Sequence, residues 1–94
     1  KTDTIDHVVG DHTIAFIKMD VEGSELEALK GATHVIRRDM PVLAISAYHK
    51  QEDLITLPRF IAGCGNADFR YEVFLRHHGV TVPELVLYGI PTRR

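Results

Sequence analysis

The chain lacks a surplus of positive charge: 11 Lys and Arg stand against 13 Asp and Glu, a formal net charge of −2. No general basic field is present to attract nucleic acid, and Arg37-Arg38 and Arg93-Arg94 read as isolated, solvated pairs. Cys64 is the single cysteine, so no internal disulfide can form. A reducing compartment, the cytoplasm, is the expected location. No apolar run approaches the roughly 20 residues that would span a bilayer. The N-terminus, Lys1-Thr-Asp-Thr-Ile-Asp6, has neither the apolar core of a signal peptide nor an initiator methionine. The missing methionine suggests a segment cut from a longer protein. Internal repeats, low-complexity stretches and interdomain linkers are also missing. At 94 residues and 45% hydrophobic content the chain suits one compact unit or part of a larger domain, since ordinary domains run to about 100–150 residues.

What is present is organised as β-α-β-α-β-β. Ile14 to Met19 is apolar except for Lys18, the pattern of a strand buried on both faces of a parallel sheet. Ser24 and Glu27 have the spacing of a capping box, which makes Ser24 the expected N-cap of a helix. Glu25 and Glu27 suit the positive end of its macrodipole. Lys30 and Gly31 mark a stop, and a second helical piece follows through Arg38. Val42 to Tyr48 is a second buried strand, parallel to the first across a right-handed crossover. Leu54, Leu57 and Ile61 give helical spacing to Gln51–Ala62, with Pro58 expected to divide it into two short pieces. Gly63 to Asn66 is a loop. Tyr71–Arg76 and Glu84–Ile90 are strands separated by too few residues for a helical crossover, so they form an antiparallel pair.

The richest stretch is Phe16 to Ala32, in which an apolar strand ends in Asp20 and Glu22, turns at Gly23 and enters a helix. Ligands of open α/β sheets bind where parallel strands end and helices begin. That makes the segment one wall of a small-molecule site. No glycine-rich loop able to cradle a cofactor precedes it.

Ile17-Lys-Met-Asp-Val-Glu-Gly-Ser-Glu25 with Leu29-Lys-Gly-Ala32 closely resembles the hallmark of the FkbM-type S-adenosylmethionine-dependent methyltransferases. Further pieces follow in the same order: Pro41-Val-Leu-Ala-Ile-Ser-Ala-Tyr-His49, Asp53-Leu54 with Leu57-Pro58, Leu75-Arg-His-His78, and Glu84-Leu-Val-Leu-Tyr88. The resemblance covers almost the whole chain. It implies a class I, Rossmann-like sheet of seven strands whose last strand runs antiparallel to the others. On that template residues 1–94 are the C-terminal portion of one methyltransferase domain, the fourth to seventh strands. The cofactor-binding half, with its glycine-rich loop and acidic residue, is absent. S-adenosyl-L-methionine would then be the cofactor of the full-length parent, and the resemblance identifies no cofactor-binding residue within this chain.

Methyl transfer to a hydroxyl is helped by positioning the partners and by removing the hydroxyl proton. Asp20 is the candidate base or orienting carboxylate. His49, at the end of the neighbouring strand, is the alternative, since imidazole titrates near neutral pH. Glu22, Gly23, Arg76 and His77 are the candidates for holding the acceptor, which would be a sugar, a glycan or a natural product. The blander alternatives stay open. Asp20 and Glu22 would then only shape the turn, and Arg76 would form only a surface ion pair. A divalent metal on Asp20, Glu22 and His49 is a weaker alternative, because D-x-E is common and nothing fixes the third ligand. His77 and His78 are strand neighbours on opposite faces and cannot easily share an ion. His7, His12 and His34 read as surface, and Tyr48, Tyr71, Phe74 and Tyr88 as core and sheet residues.

Two other function classes compete. One is a non-catalytic half-domain acting as a dimerisation or scaffold module. The other is a hydrolase using Asp20 and His49, disfavoured because no nucleophile elbow accompanies them. As a fragment, the strand Ile14–Met19 should present a long, flat, apolar edge, through which the chain would pair with itself or with its missing half.

Overall fold

The computed structural model describes residues 3–21, 23–47, 52–78 and 84–94. Its elements run α1 (Ile5–Val9), β1 (Phe16–Met19), α2 (Glu25–Lys30), α3 (Thr33–Asp39), β2 (Val42–Ser46), α4 (Asp53–Ala62), β3 (Phe69–His78) and β4 (Glu84–Arg93). They form one four-stranded sheet in the order β1-β2-β4-β3. β1 and β2 are parallel, with Ile17 beside Leu43 and Met19 beside Ile45. β4 is antiparallel to β2 on one side and to β3 on the other. The expected mixed α/β sheet, two parallel strands with helices and then an antiparallel pair, is what forms.

Successive side chains of a strand point to opposite faces. The register therefore sorts the sheet. Ile17, Met19, Leu43, Ile45, Leu87 and Tyr71 lie on one face, where they pack with Leu29, Val35, Ile36, Leu57 and Ile61 of the helices into a single core. Phe16, Lys18, Val42, Ala44, Ser46, Val86, Tyr88, Ile90, Phe74 and Arg76 lie on the other. Phe16 is 54% exposed and Phe74 48%, so no described helix covers that face. The shortest dimension, 20 Å, is that of one sheet and one helical layer, each about 10 Å deep.

Several expectations need correction. β1 is four residues long and alternates exposed and buried side chains instead of being buried on both faces. The cause is that only one face is covered. The flat apolar edge is correspondingly short. The capping box does not form: Ser24 precedes α2 but makes no side-chain cap bond, and Glu27 reaches Lys30 instead, at 3.7 Å. Glu25 stands in the first turn of α2 as expected, but is fully buried. Pro58 lies inside one continuous α4 instead of dividing it. Leu57 and Ile61, one turn apart and both buried, anchor its two halves to the same core, which outweighs the lost backbone bond. Phe74 is exposed on the open face.

α1 has no counterpart among the expected elements. Thr4 caps it by accepting the His7 N–H at 3.1 Å, and Ile5 and Val9 pack against the core. Its Asp6 carboxylate accepts the N–H groups of His34 and Val35 at 3.0 and 2.9 Å. Those are orphan donors at the start of α3, whose own N-cap, Ala32, has no side-chain acceptor. Met40 ends α3 in the left-handed conformation, φ 48°. The buried Tyr71 hydroxyl donates to the Pro41 carbonyl at 2.6 Å, tying β3 to the entry of β2.

Candidate functional site

Asp20 is the first residue beyond β1, at its carboxyl end. The turn that follows is fixed from both sides. Gly23 adopts φ 92°, which a residue with a Cβ rarely tolerates. Ser24 donates its N–H to the Val21 carbonyl at 3.2 Å. The buried Glu25 carboxylate reaches back from α2 and accepts the Val21 N–H at 3.1 Å. Val21 is thus held on both backbone groups, and Asp20 is presented at the end of the strand with its side chain exposed.

Asp20 lines a cavity of about 280 Å³ with Lys18, Ala44, Ser46, Val86 and Tyr88. The register explains the grouping. Ser46 pairs with Val86 and Val86 with Arg76, while Asp20 follows Met19, the partner of Ile45. Asp20, Ser46, Val86 and Arg76 therefore form a row across the open face. Lys18, Ala44, Tyr88 and Phe74 form the adjacent row. A second hollow of about 420 Å³ is lined by Phe74, Arg76, Tyr88 and Ile90, so the Tyr88 ring is a wall common to both.

The candidates from sequence are only partly brought together. Asp20 and Gly23 sit in one turn. Arg76 shares the face and the row of Asp20, but three strand spacings, about 14 Å, separate them, and it lines the other hollow. His77 pairs with Leu85 and points to the opposite, helical side. Glu22 and His49 lie outside the described residues, and with them two members of the suggested metal trio. Among the described residues, no three His, Cys, Asp or Glu side chains are placed to hold a metal ion. Cys64 is buried, donates to the Phe60 carbonyl at 3.2 Å, and has its thiol pushed up chiefly by burial. It is not a nucleophile at neutral pH.

Three cavity residues escape the sequence reading: Lys18, Ser46 and Tyr88. Lys18 is the one polar residue of β1 and stands two positions before Asp20, hence on the same face. Ser46 is the one polar residue of β2. Both were visible as interruptions of apolar strands, but only the open face brings them to the cavity.

The arrangement provides a carboxylate, an ammonium and hydroxyl groups at the carboxyl ends of parallel strands, where small molecules dock in such sheets. It does not provide a cofactor cradle. Gly10 and Gly23 are the described glycines with positive φ, and neither belongs to a glycine-rich loop between a strand and a helix. Among the described residues no helix is long and apolar enough to cross a membrane.

Comparison with known proteins agrees with this architecture. A family model described as the Methyltransferase FkbM domain matches residues 1–79. The crystal structure of methyltransferase FkbM from Methylobacillus flagellatus is similar at a TM-score of 0.78 and 46% identity, over 90% of this chain and 22% of that one. The chain thus spans well under half the length of that solved protein. No curated protein matches it.

Proposed function

This chain belongs to the FkbM methyltransferase family, and on that premise we propose that it forms the acceptor side of an S-adenosylmethionine-dependent O-methyltransferase. Residues 1–94 are, on this reading, the C-terminal portion of a larger methyltransferase domain. The open sheet face supports it: a sheet with parallel strands is ordinarily covered on both faces, and this one is covered on one. S-adenosylmethionine supplies an electrophilic methyl group when bound. The described residues offer no glycine-rich cradle for it, and on this reading the rest of the domain contributes to holding it.

The observation that carries the proposal is the placement of Asp20, held by the Val21–Glu25 turn at the end of β1 and on the rim of a cavity. A carboxylate there accepts a hydrogen bond from the acceptor hydroxyl, fixes its direction, and takes its proton as the oxygen is alkylated. The acceptor is a hydroxyl of a sugar, a glycan or a natural product. Lys18 lines the same cavity as Asp20 and can balance its charge, and His49 and Glu22 are further candidates around the acceptor. The buried, reduced Cys64 suits a cytoplasmic enzyme.

The test uses the full-length protein, methyl-labelled S-adenosylmethionine and a low-molecular-weight cell extract as the source of acceptor. Wild type should label a small molecule. Asp20→Ala should lower transfer by about 10²–10⁴-fold, the usual scale of a general base, while affinity for S-adenosylhomocysteine stays within a few-fold. Transfer by Asp20→Ala within a few-fold of wild type removes Asp20 from the chemistry. Absence of labelling by wild type removes the enzymatic reading and favours the scaffold module.

A further inference from the structure

β3 has an outer margin that nothing among the described residues covers. It closes the strand order β1-β2-β4-β3 and pairs with β4 alone. It is ten residues long, contains no proline or lysine, and keeps an unbroken register with β4 from Phe69 to His78. Edge strands are ordinarily kept short, bulged or interrupted, because a long regular one is a template for another chain. Covering the open face of the sheet would leave this margin bare, since its backbone groups lie in the hydrogen-bonding direction and not on either face.

The direction of those groups follows from the end of the ladder. Arg94 donates its N–H to the Asp68 carbonyl at 2.9 Å, which makes Asp68 and Arg94 a hydrogen-bonded pair. Such pairs alternate with non-bonded ones along an antiparallel ladder. Arg70, Glu72, Phe74 and Arg76 therefore bond to β4, and the odd-numbered residues turn their N–H and C=O groups outward. Phe69 agrees: its carbonyl accepts the Asn66 N–H and its N–H donates to the Asn66 side chain, at 2.9 Å each. Tyr71, Val73, Leu75 and His77 find no such cover among the described residues.

We infer that the full-length protein is a twofold dimer in which β3 pairs antiparallel with β3 of a second copy, centred on Phe74. Outward residues must face outward residues, which excludes centring between two positions, and the charges choose among the rest. Centring on Glu72 or Arg76 sets that residue against its own copy, and centring on Val73 sets Arg70 against Arg76. Centring on Leu75 sets Phe74 against Arg76. With Phe74 on the axis, each Glu72 faces an Arg76, and the twofold repeats the contact. Phe74 then faces its own copy and Val73 faces Leu75. Opposite charges and apolar pairs directly across two strands are favourable, and like charges are not. The side chains concerned are available. Phe74 and Leu75 are 48% and 50% exposed, Glu72 meets Arg70 only at 3.4 Å on the surface, and Arg76 makes no ion pair among the described residues. This dimer requires nothing of Asp20 or of methyl transfer.

Sedimentation of the full-length protein tests it. Wild type should be a dimer in the micromolar range. Glu72→Arg and Arg76→Glu should each weaken dimerisation by at least about tenfold, since two attractive contacts become repulsive. An equimolar mixture of the two single variants should regain the wild-type affinity as a heterodimer, and the double variant should regain it with itself, because both restore opposite charges across the axis. Phe74→Cys should cross-link through a disulfide under mild oxidation, its Cα atoms standing about 4.5 Å apart as a non-hydrogen-bonded pair. Wild type and Val73→Cys should not. A monomeric wild type overturns the proposal. So does a dimer that tolerates both charge reversals, or one whose single variants are not rescued by mixing.

Discussion

Asp6 stabilises a helix to which it does not belong. Its carboxylate caps the first turn of α3 from 28 residues upstream, where Ala32 offers no acceptor of its own. Asp6→Ala should lower unfolding free energy by about 1–2 kcal/mol, the usual worth of an N-cap, read from urea midpoints; Asp6→Asn should recover part of it. A second residue-scale device closes the other end of α3. Arg38 donates to Asp39 at 2.8 and 2.7 Å, and Asp39 accepts the Ile14 N–H at 2.9 Å. The Arg38 guanidinium first, and the Ile14 amide after it, hold the Asp39 carboxyl down at about 2 against an ordinary 3.8. The folded value is the lower one, so this stabilisation is complete above the unfolded value and disappears as pH falls through the folded one. Asp39→Asn should accordingly be less stable than wild type near neutrality. The gap should narrow between about pH 4 and pH 2; a gap that stays constant across that range in denaturant titrations refutes the linkage. At this scale the strand end at Asp20 and the turn at Gly23 were legible, because strand ends and turns leave local signatures. The sequence hid Ser46, Lys18 and Tyr88, whose meaning depends on which sheet face is open, and it hid the burial of Glu25, which depends on a turn folding back over α2.

Among the elements, α4 and β4 meet at Gly89. A Cβ there would lie 3.0 Å from Ile61 Cγ2, 3.2 Å from the Tyr71 ring and 3.4 Å from Leu43 Cβ. Glycine lets the helix settle onto the sheet. Tyr71 cannot easily give way, since its hydroxyl is tied to Pro41. Gly89→Ala should therefore destabilise by about 1–3 kcal/mol, as overpacked cores do, and calorimetry should register it as a lower melting midpoint; an unchanged midpoint would mean that α4 can shift. Periodicity located β2, α2, α3 and the antiparallel pair within a few residues, because each carries its own apolar repeat. It failed on α1, too short for a repeat, and on Pro58, where local propensity yields to two buried anchors in one helix.

For the molecule as a whole, the deciding feature is a sheet with one dressed side. Phe16, Phe74 and Ile90 leave an apolar surface on the other. The 94-residue chain on its own should associate with itself or precipitate, through that face and the free edge of β1, and sedimentation should give a mass that rises with concentration. Charges introduced by Phe16→Lys and Phe74→Glu should suppress it. A monomer across the micromolar range would instead show that the face is stable in water. The class of sheet was legible because alternation of element types dictates it. The strand order was not, since no local pattern reveals that β4 inserts between β2 and β3. That insertion bears on biosynthesis. β4, the seam between the β1–β2 pair and β3, is the last of these four strands in chain order, so during translation β2 and β3, though joined through α4, share no sheet hydrogen bonds and keep bare inner margins until β4 emerges. Loss of β4 would therefore take out the middle of the sheet and not its margin, leaving β2 and β3 each with an unpaired edge for chaperones and proteases to find.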